Sequence, residues 1–139
     1  MSETIRLTVD VAVFTDPGND LQVLLIKRGN DPFKDQWALP GGFVDYGESL
    51  ETAARRELKE ETNIRVNDLI QIAAFGNPKR DPRGHIVSVA FATFVPPSEV
   101  EKTKGRDDAS DAQWFSVNKL PDLAFDHNEI LKEAKGIPG

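Results

Sequence analysis

The segment from residue 49 to residue 62 constrains the fold more than any other, because it combines a strong helix signal with one apolar side. It contains no glycine or proline and is rich in Ala, Leu, Glu, Arg and Lys, a composition that favours an α-helix. Ser49 is suited to cap the first turn. At about 100° per residue the apolar residues form one stripe that should face the core. The stripe consists of Leu50, Ala53, Ala54, Leu58 and Ile64.

Three carboxylates lie on or beside this apolar stripe. On the helical wheel Glu57 and Glu61 fall in its middle and Glu60 at its edge, whereas Arg55 and Lys59 hold the outer face. A solvated helix with ordinary surface charge is the usual interpretation of such a run. Burying ionised carboxylates is costly, however, and two of them one turn apart repel each other. A divalent cation resolves both problems, and oxygen ligands suit Mg²⁺ or Mn²⁺.

Two further features accompany the acidic helix. Arg56 can reach back to Glu57 or Glu48 and orient a carboxylate, although a surface cation explains its position equally well. Before the helix, the residues Leu-Pro-Gly-Gly at 39–42 bring the backbone close with little side-chain bulk. The carbonyl of Gly42 can therefore complete the coordination of a metal. A purely structural turn is the alternative, and both can be true of Gly42.

The remaining segments predict a mixed α/β domain, and we treat residues 1–139 as one domain. Alternation from Ile5 to Phe14 predicts a half-buried strand, and the turn residues that follow it predict a hairpin. Residues 29–47 hold four of the ten glycines and two prolines, which indicates a structured loop. The other predicted elements are strands at 21–27, 69–75, 86–95 and 113–117, a charged loop at 98–110 and a closing helix at 125–135.

Composition excludes several function classes. The 17 basic and 23 acidic residues give a net charge of −6, which disfavours a protein held on the backbone of nucleic acids. The chain has no cysteine, so disulfides, thiolate zinc sites and cysteine nucleophiles are excluded, and a reducing cytoplasm is the expected location. The longest apolar stretch, 89–95, is far shorter than the ~18 residues that cross a membrane, and residues 1–6 are no signal peptide.

The acids belong to a longer pattern. Gly42 is followed after five residues by Glu48 and after seven more by Arg-Glu-Leu-Lys-Glu-Glu-Thr-Asn-Ile at 56–64. This resembles the Nudix box of the Nudix hydrolases over 23 contiguous residues, and Trp-Ala-Leu-Pro-Gly at 37–41 is a familiar beginning. The family usually has glycine where Asn63 stands. That residue ends the helix with a positive φ, and asparagine is the next best residue there, so the metal ligands are unaffected.

The resemblance implies an α/β/α sandwich with a mixed central sheet, and hydrolysis of a nucleoside diphosphate linked to another group. It implies attack by a metal-activated water on a phosphorus of the pyrophosphate, with Mg²⁺, or alternatively Mn²⁺, as the cofactor. By position it implies metal ligation by Glu57, Glu60 and Glu61, with the Gly42 carbonyl as a further ligand and Glu48 as a supporting or ligating acid. Glu60, Glu61 and Arg56 would form the catalytic machinery.

Segments outside the box resemble the ADP-ribose pyrophosphatase branch of the family, namely 77–85 with 87–91, 107–109 before 114–115, and 125–127. The expected reaction is therefore ADP-ribose to AMP and ribose 5-phosphate. Arg80 and Arg83 can hold a phosphate or ribose oxygen, although a turn kept soluble by charge explains them as well. Trp37 is a candidate for stacking on the base, and so are Phe14, Phe33, Tyr46 and Phe75, although most such aromatics are core.

A general base separate from the metal ligands should lie on a mobile loop, and residues 98–111 offer five acids. The resemblance favours Asp108, with mere solubility as the alternative. His85 and His127 are expected to make structural hydrogen bonds. An alternative hypothesis is that the substrate is an ordinary or oxidised nucleoside triphosphate. The non-enzyme reading is an ADP-ribose sensor of the kind that carries a DNA-binding domain, for which 139 residues leave little room. Relatives often share a pocket between subunits, so a homodimer is possible.

Overall fold

The computed structural model of the protein describes residues 4–105 and 109–136. The helices appear where the sequence predicts them, and the glycine-rich loop contains two short strands that periodicity did not predict. In the described part of the chain no helix combines the length and apolarity that crossing a membrane requires. The strands are β1 (Arg6–Thr15), β2 (Gln22–Arg28), β3 (Trp37–Ala38), β4 (Gly41–Phe43), β5 (Ile70–Phe75), β6 (Ile86–Phe94) and β7 (Ala109–Ser116), and the helices are α1 (Leu50–Thr62) and α2 (His127–Lys135), with a 3-10 helix at Pro97–Lys102.

The strands form one mixed sheet of seven strands in the order β3-β2-β1-β6-β5, with β4 also paired to β1 and β7 also paired to β2. Strands β1 and β6 are parallel along their whole length, from the Arg6–Ile86 pair to the Phe14–Phe94 pair. The other pairings are antiparallel. A parallel pair at the centre of otherwise antiparallel strands confirms the mixed sheet that the resemblance implies.

The second edge of β1 is shared between two strands. Strand β2 pairs with β1 only at its end, through Phe14–Val23 and Thr15–Gln22. Nearer its start, β1 pairs instead with β4, from Thr8 to Asp10. The predicted hairpin is therefore present only at its turn, and its strands then part. The gap that opens between β2 and β4 exposes the side of β1 and positions the site described below.

Both faces of the sheet are covered. Val9, Val11 and Val13 of β1 pack in the core under α1, whereas Ala12 and Phe14 point the other way and pack under α2. The prediction that β1 is half-buried is therefore wrong, because every residue from Thr8 to Thr15 is buried. The alternation of the sequence is real, but α2 covers the face that the pattern leaves to water. The result is the α/β/α sandwich.

Helix α1 begins and ends as its sequence predicts. The hydroxyl of Ser49 accepts a hydrogen bond from the backbone N–H of Thr52 at 3.2 Å, and this caps the first turn. Asn63 ends the helix with φ 68°, and its N–H bonds the carbonyl of Lys59 at 3.0 Å. The prediction that Asn63 replaces glycine in a left-handed conformation is confirmed.

Three predicted boundaries differ from the structure. Strand β7 begins at Ala109, four residues before the predicted start, because it pairs with β2 from Gln22 to Arg28. Helix α2 begins at His127 and not at 125, since Phe125 has a positive φ of 54° that no helix accommodates. Part of the predicted loop at 98–110 is the 3-10 helix.

Candidate active site

The gap between β2 and β4 contains a cavity of about 350 Å³. Its wall brings together six parts of the chain that are distant in sequence. These are Thr8 and Asp10 of β1, Arg28 with the residues after it, Gly41 to Phe43 of β4, Glu57 and Glu61 of α1, Arg80, Asp81 and Arg83 of the loop after β5, and Phe125 and His127 at the start of α2. Of the predicted site residues, Gly42, Glu57, Glu61, Arg80 and Arg83 therefore line one cavity, whereas Glu48, Arg56 and Glu60 are not among the residues that line it.

Glu61 is fixed where α1 meets β4. The residue is only 7% exposed, and its carboxylate oxygen Oε1 accepts a hydrogen bond of 2.8 Å from the backbone N–H of Gly41. The wheel had placed Glu61 on the apolar face, and the structure confirms that this acid points inward. A carboxylate bonded in this way keeps its orientation without a bound ligand.

Glu57 lies against the backbone of Gly42. A Cβ atom on Gly42 would come within 2.6 Å of the Glu57 carboxylate oxygen Oε2, so any side chain at position 42 would displace this carboxylate from its present place. Burial raises the pKa of Glu57, and the hydrogen bond from Arg56 opposes that rise. Burial therefore disfavours the ionised form of this carboxylate, and a cation in the cavity would offset that cost.

Arg56 organises the outer side of this acidic wall. Its Nε and Nη2 donate to the two carboxylate oxygens of Glu48 at 2.7 and 2.9 Å, and its Nη1 donates to Glu57 at 2.7 Å. A further bond of 3.1 Å reaches the carbonyl of Phe43 in β4. The prediction that Arg56 orients a carboxylate is confirmed, and both of the acids proposed as its partners are bonded at once.

The carboxylate of Glu48 is therefore held by hydrogen bonds within the protein. The hydrogen bonds from Arg56, helped by one from the backbone N–H of Asp45, lower the pKa of Glu48 to about 2. Both oxygens of its carboxylate accept bonds from these groups. Of the two roles expected for Glu48, this geometry favours the supporting one. Glu60 is more exposed, with 45% of its side chain accessible, and Arg56 Nη1 lies 3.5 Å from its oxygen.

The acidic wall fits a divalent cation by its donor chemistry. The carboxylates of Glu57 and Glu61 enter the cavity beside the backbone of Gly42, and all of these donors are oxygen atoms of the kind that Mg²⁺ and Mn²⁺ prefer. Among residues 4–105 and 109–136, no three acid or histidine side chains are already gathered closely enough to hold a metal. The candidate metal ligands are therefore present, but the carboxylate of Glu57 is turned towards Arg56.

The two predicted substrate arginines differ in their surroundings. Arg80 makes a two-pronged contact with Asp126, at 2.9 and 2.6 Å, and donates through Nη1 to the carbonyl of Ile86. Its side chain is only 4% exposed, so its role here is to hold α2 to the sheet. Arg83 also pairs with an acid, Asp81, but 34% of its side chain remains exposed at the cavity. Both arginines line the cavity, and the side chain of Arg83 is the more exposed of the two.

Trp37 does not line the cavity. Its ring packs edge-to-face on Phe115 with the centroids 4.9 Å apart, and the residue packs against the core under α2. We therefore correct the prediction that it contacts substrate, because β3 turns its side chain into the protein. The other aromatic candidates are also elsewhere: Phe14 is fully buried, Tyr46 is fully exposed, Phe75 packs on the core and Phe33 packs behind Phe125. The aromatics that line the cavity are Phe43 and Phe125.

A buried polar chain that the sequence does not single out lies at the cavity floor. The carboxylate of Asp10 accepts a short hydrogen bond from the hydroxyl of Ser88, and its other oxygen lies 3.5 Å from Nε2 of His127. The backbone N–H of Leu39 donates to Nδ1 of the same ring at 3.0 Å. The expected structural role of His127 is confirmed. The sequence signal that could have identified Asp10 as a site residue is an acid in the middle of an apolar strand.

The electrostatics of His127 agree with this bonding. Burial lowers its pKa, and the carboxylates of Asp10 and Asp126 oppose that change. The ring is therefore neutral at pH 7, and because Nδ1 accepts from Leu39 its proton is on Nε2, on the side of Asp10. His127 thus fixes the backbone that leads into Gly41 and Gly42. His85 also makes a structural contact, with Nε2 3.3 Å from the carbonyl of Gly76.

Asp108, the predicted general base, lies outside the described residues and stays a prediction. Two acids near it in sequence are engaged locally. Asp111 accepts from the backbone N–H of Ala112 and from the amide of Gln113, and Glu99 pairs with Lys102 at 2.8 Å. These bonds leave Asp111 and Glu99 less suited than an unbonded acid to take a proton from water.

The fold and the site together define an α/β/α domain whose first helix presents carboxylates to a polar cavity. The family model described as the NUDIX domain matches residues 4–134. The chain therefore belongs to the Nudix family.

Several known proteins are similar to this chain. The chain is 47% identical over 130 residues to the ADP-ribose pyrophosphatase of Methanocaldococcus jannaschii, a match that covers 92% of this chain and 75% of that protein. It is 40% identical over 132 residues to the ADPR responsive transcriptional repressor NtrR of Acinetobacter baylyi, and spans about half of that protein, 52%. Among solved structures, the NUDIX domain of Shewanella oneidensis NrtR complexed with ADP ribose superposes with a TM-score of 0.86 at 35% identity, over 96% of this chain and 88% of that one.

Proposed function

We propose that the protein hydrolyses the pyrophosphate bond of ADP-ribose to AMP and ribose 5-phosphate, with Mg²⁺ as the cation and Mn²⁺ as an alternative. The observation that carries this proposal is the cavity itself, where Glu57 and Glu61 lie on one wall and Arg83 lies on another. The 47% identity to an ADP-ribose pyrophosphatase supports the choice of substrate. So does the likeness to a domain solved with ADP ribose.

Glu57, Glu60 and Glu61 would hold the cation, with the carbonyl of Gly42 as a further ligand. A bound divalent cation lowers the pKa of a water and neutralises charge on the phosphates. The chain itself supplies the alignment. Arg56 restrains Glu57 while the N–H of Gly41 restrains Glu61, so the two acids are oriented before substrate arrives, which reduces the reorganisation that the reaction requires.

The cavity also contains positively charged side chains. Arg28 and Arg83 both lie on the cavity, and the pKa of Arg28 is lowered by burial and by the charge of Arg83. The two neighbouring guanidinium groups make this part of the cavity favourable to an anion, and the planar fork of Arg28 matches phosphate oxygens. Arg28 would therefore bind and orient the pyrophosphate without contributing to metal ligation. Asp108 would take the proton from the attacking water, as the resemblance implies.

A second candidate is binding of ADP-ribose without turnover. The similarity to the repressor NtrR and to the NrtR domain favours it. Both candidates require the same cavity, but a sensor has no need for two inward carboxylates held in place by Arg56 and by the N–H of Gly41. We therefore place hydrolysis first. The expected homodimer and the expected cytoplasmic location stay predictions, which light scattering of the purified protein and cell fractionation would test.

A substrate panel tests the proposed function. Purified protein with Mg²⁺ is offered ADP-ribose, other ADP-sugars, dinucleoside polyphosphates and nucleoside triphosphates, and the products are separated by chromatography. We expect the highest kcat/KM for ADP-ribose, with AMP and ribose 5-phosphate in equal amounts. Preferred cleavage of a triphosphate to monophosphate and pyrophosphate would overturn the substrate assignment. Tight binding of ADP-ribose without products would favour the sensor.

A further inference from the structure

The wall of the cavity that carries Phe125 has features that neither metal binding nor phosphate binding explains. Phe125 has φ 54°, a left-handed conformation that is unusual for a bulky aromatic residue. The chain around it is held firmly, since the N–H of Ala124 donates to the carbonyl of Trp37 at 2.8 Å. The structure thus maintains an unfavourable backbone conformation at a residue whose half-buried ring lines the cavity.

The ring of Phe125 is supported from within the protein. Phe33 packs edge-to-face on it with the centroids 4.7 Å apart, and the ring of His127 lies 5.3 Å away. His127 is in turn fixed by its hydrogen bond from Leu39. A ring restrained in this way loses little freedom when a ligand stacks on it, which makes it a preorganised platform.

A second planar group lies over this ring. The guanidinium carbon of Arg83 is 5.5 Å from the centroid of Phe125 and 5.0 Å from the centroid of Phe43. Two hydrogen bonds from its Nε and Nη2 to the buried carboxylate of Asp81, at 3.1 and 2.8 Å, set the orientation of its plane. Flat aromatic rings and flat guanidinium groups are the surfaces on which nucleobases stack.

We infer that Phe125 and Arg83, with Phe43 beside them, form the subsite for the nucleobase of the substrate. This inference rests on the proposed function and specifies which wall of the cavity takes the adenine. A terminal ribose is neither planar nor aromatic and gains little from such a surface. A cationic ligand is disfavoured, because the guanidinium carbon of Arg28 also lies 5.0 Å from the centre of the Phe125 ring.

The position of this base subsite agrees with the position of the acids. Phe43 directly follows Gly42, which contacts Glu57, and the carbonyl of Phe43 accepts a bond from Arg56. One short strand therefore joins the base subsite to the acidic wall. A cavity of about 350 Å³ is within the range of small-ligand pockets. A nucleotide can place its base on Phe125 and its phosphates at the acids.

The test compares Phe125→Leu with Phe75→Leu, which removes a ring that packs on the core away from the cavity. Binding of AMP, adenosine and ribose 5-phosphate is measured by calorimetric titration, so no turnover is needed. We expect Phe125→Leu to weaken AMP and adenosine about ten-fold to a hundred-fold, the loss of one base–aromatic stack, and to leave ribose 5-phosphate unchanged. Phe75→Leu should change none of the three, and Phe125→Trp should restore AMP binding.

The opposite pattern, with ribose 5-phosphate weakened and adenosine unchanged, would overturn the inference and assign this wall to the terminal ribose. Unchanged binding of all three ligands would overturn it as well. If Phe125→Leu fails to fold, contacts between the adenine protons of AMP and the ring protons of Phe125, measured by NMR on the unaltered protein, decide the question. Their absence counts against the inference. Should the protein bind AMP in the expected pattern yet leave ADP-ribose intact, the base subsite stands and the proposed hydrolysis fails.

Discussion

Replacing Glu57 or Glu61 with glutamine is expected to reduce kcat for ADP-ribose by at least about a thousand-fold, because each change removes a charge that a bound cation needs and several kcal/mol of transition-state stabilisation with it. Glutamine keeps the size of the side chain. At position 61 its carbonyl oxygen can still accept the bond that Gly41 donates at 2.8 Å. The pKa of Glu57 is raised by burial, so Glu57→Gln also removes a charge that is costly to bury. Both variants should therefore remain folded, with an unchanged or slightly higher Tm in the absence of metal.

The matched control is Glu51→Gln, which changes an exposed acid in the first turn of the same helix. It should hydrolyse ADP-ribose at the unmodified rate. The measurement is initial rate against Mg²⁺ concentration for all three variants, with thermal unfolding as the check on folding. If Glu57→Gln and Glu61→Gln both match Glu51→Gln at saturating Mg²⁺, these carboxylates do not hold the catalytic cation.

Replacing Arg56 with glutamine is expected to lower kcat about 10-fold to 100-fold, the usual cost of removing a group that orients metal ligands. Arg56 bonds Glu48 twice and Glu57 once. Without it, two partly buried carboxylates lose their shared cation, and Glu57 is left free to turn. The Mg²⁺ concentration for half-maximal rate should therefore rise, whereas the KM for ADP-ribose at saturating Mg²⁺ should change less.

The neighbouring Arg55 provides a control of equal charge. Its guanidinium bonds only the carbonyl of Asn67 among the contacts that we observe in the described chain, so Arg55→Gln should leave the rate and the Mg²⁺ requirement unchanged. Arg56→Lys keeps the charge but not the planar fork, and it should restore only part of the activity. Equal kinetics for Arg55→Gln and Arg56→Gln would show that Arg56 is an ordinary surface cation.

Features that depend on neighbouring residues could be predicted from the sequence. The 3.6-residue period places Glu57 and Glu61 on the inner side of α1, and a helix end that needs a positive φ explains Asn63. Arg56 is within reach of Glu57, its neighbour on α1, and of Glu48, which lies just before the N-cap Ser49 of the same helix. Local geometry alone is sufficient for these predictions, and this part of the site agrees with them.

Features that depend on tertiary contacts could not be predicted in the same way. The pairing of Arg80 with Asp126 joins residues 46 positions apart, and no local pattern indicates it. Asp10 and Ser88 meet across 78 residues because β1 and β6 lie side by side. Trp37 carries no local signal that β3 turns it inward. The gap between β2 and β4, which forms the cavity, results from the way these strands pair with β1 and is not visible in the hydropathy pattern.

The net charge of −6 describes the chain as a whole and misdescribes the cavity. Glu57 and Glu61 on one wall face inward, where they serve a cation and not solubility. Arg28 and Arg83 line the same cavity. A cation held by the acids would add to the charge of these arginines, so the cavity of an acidic protein becomes favourable to a pyrophosphate.

The most direct test of the account is ADP-ribose hydrolysis by the unaltered protein after removal of divalent cations with EDTA and dialysis. Without metal we expect no AMP or ribose 5-phosphate above background, and addition of Mg²⁺ or Mn²⁺ should restore full activity. Glu57→Gln and Glu61→Gln should show little hydrolysis either with or without metal. Hydrolysis at the same rate with and without divalent cations would contradict the claim that the carboxylates of α1 act through a bound metal.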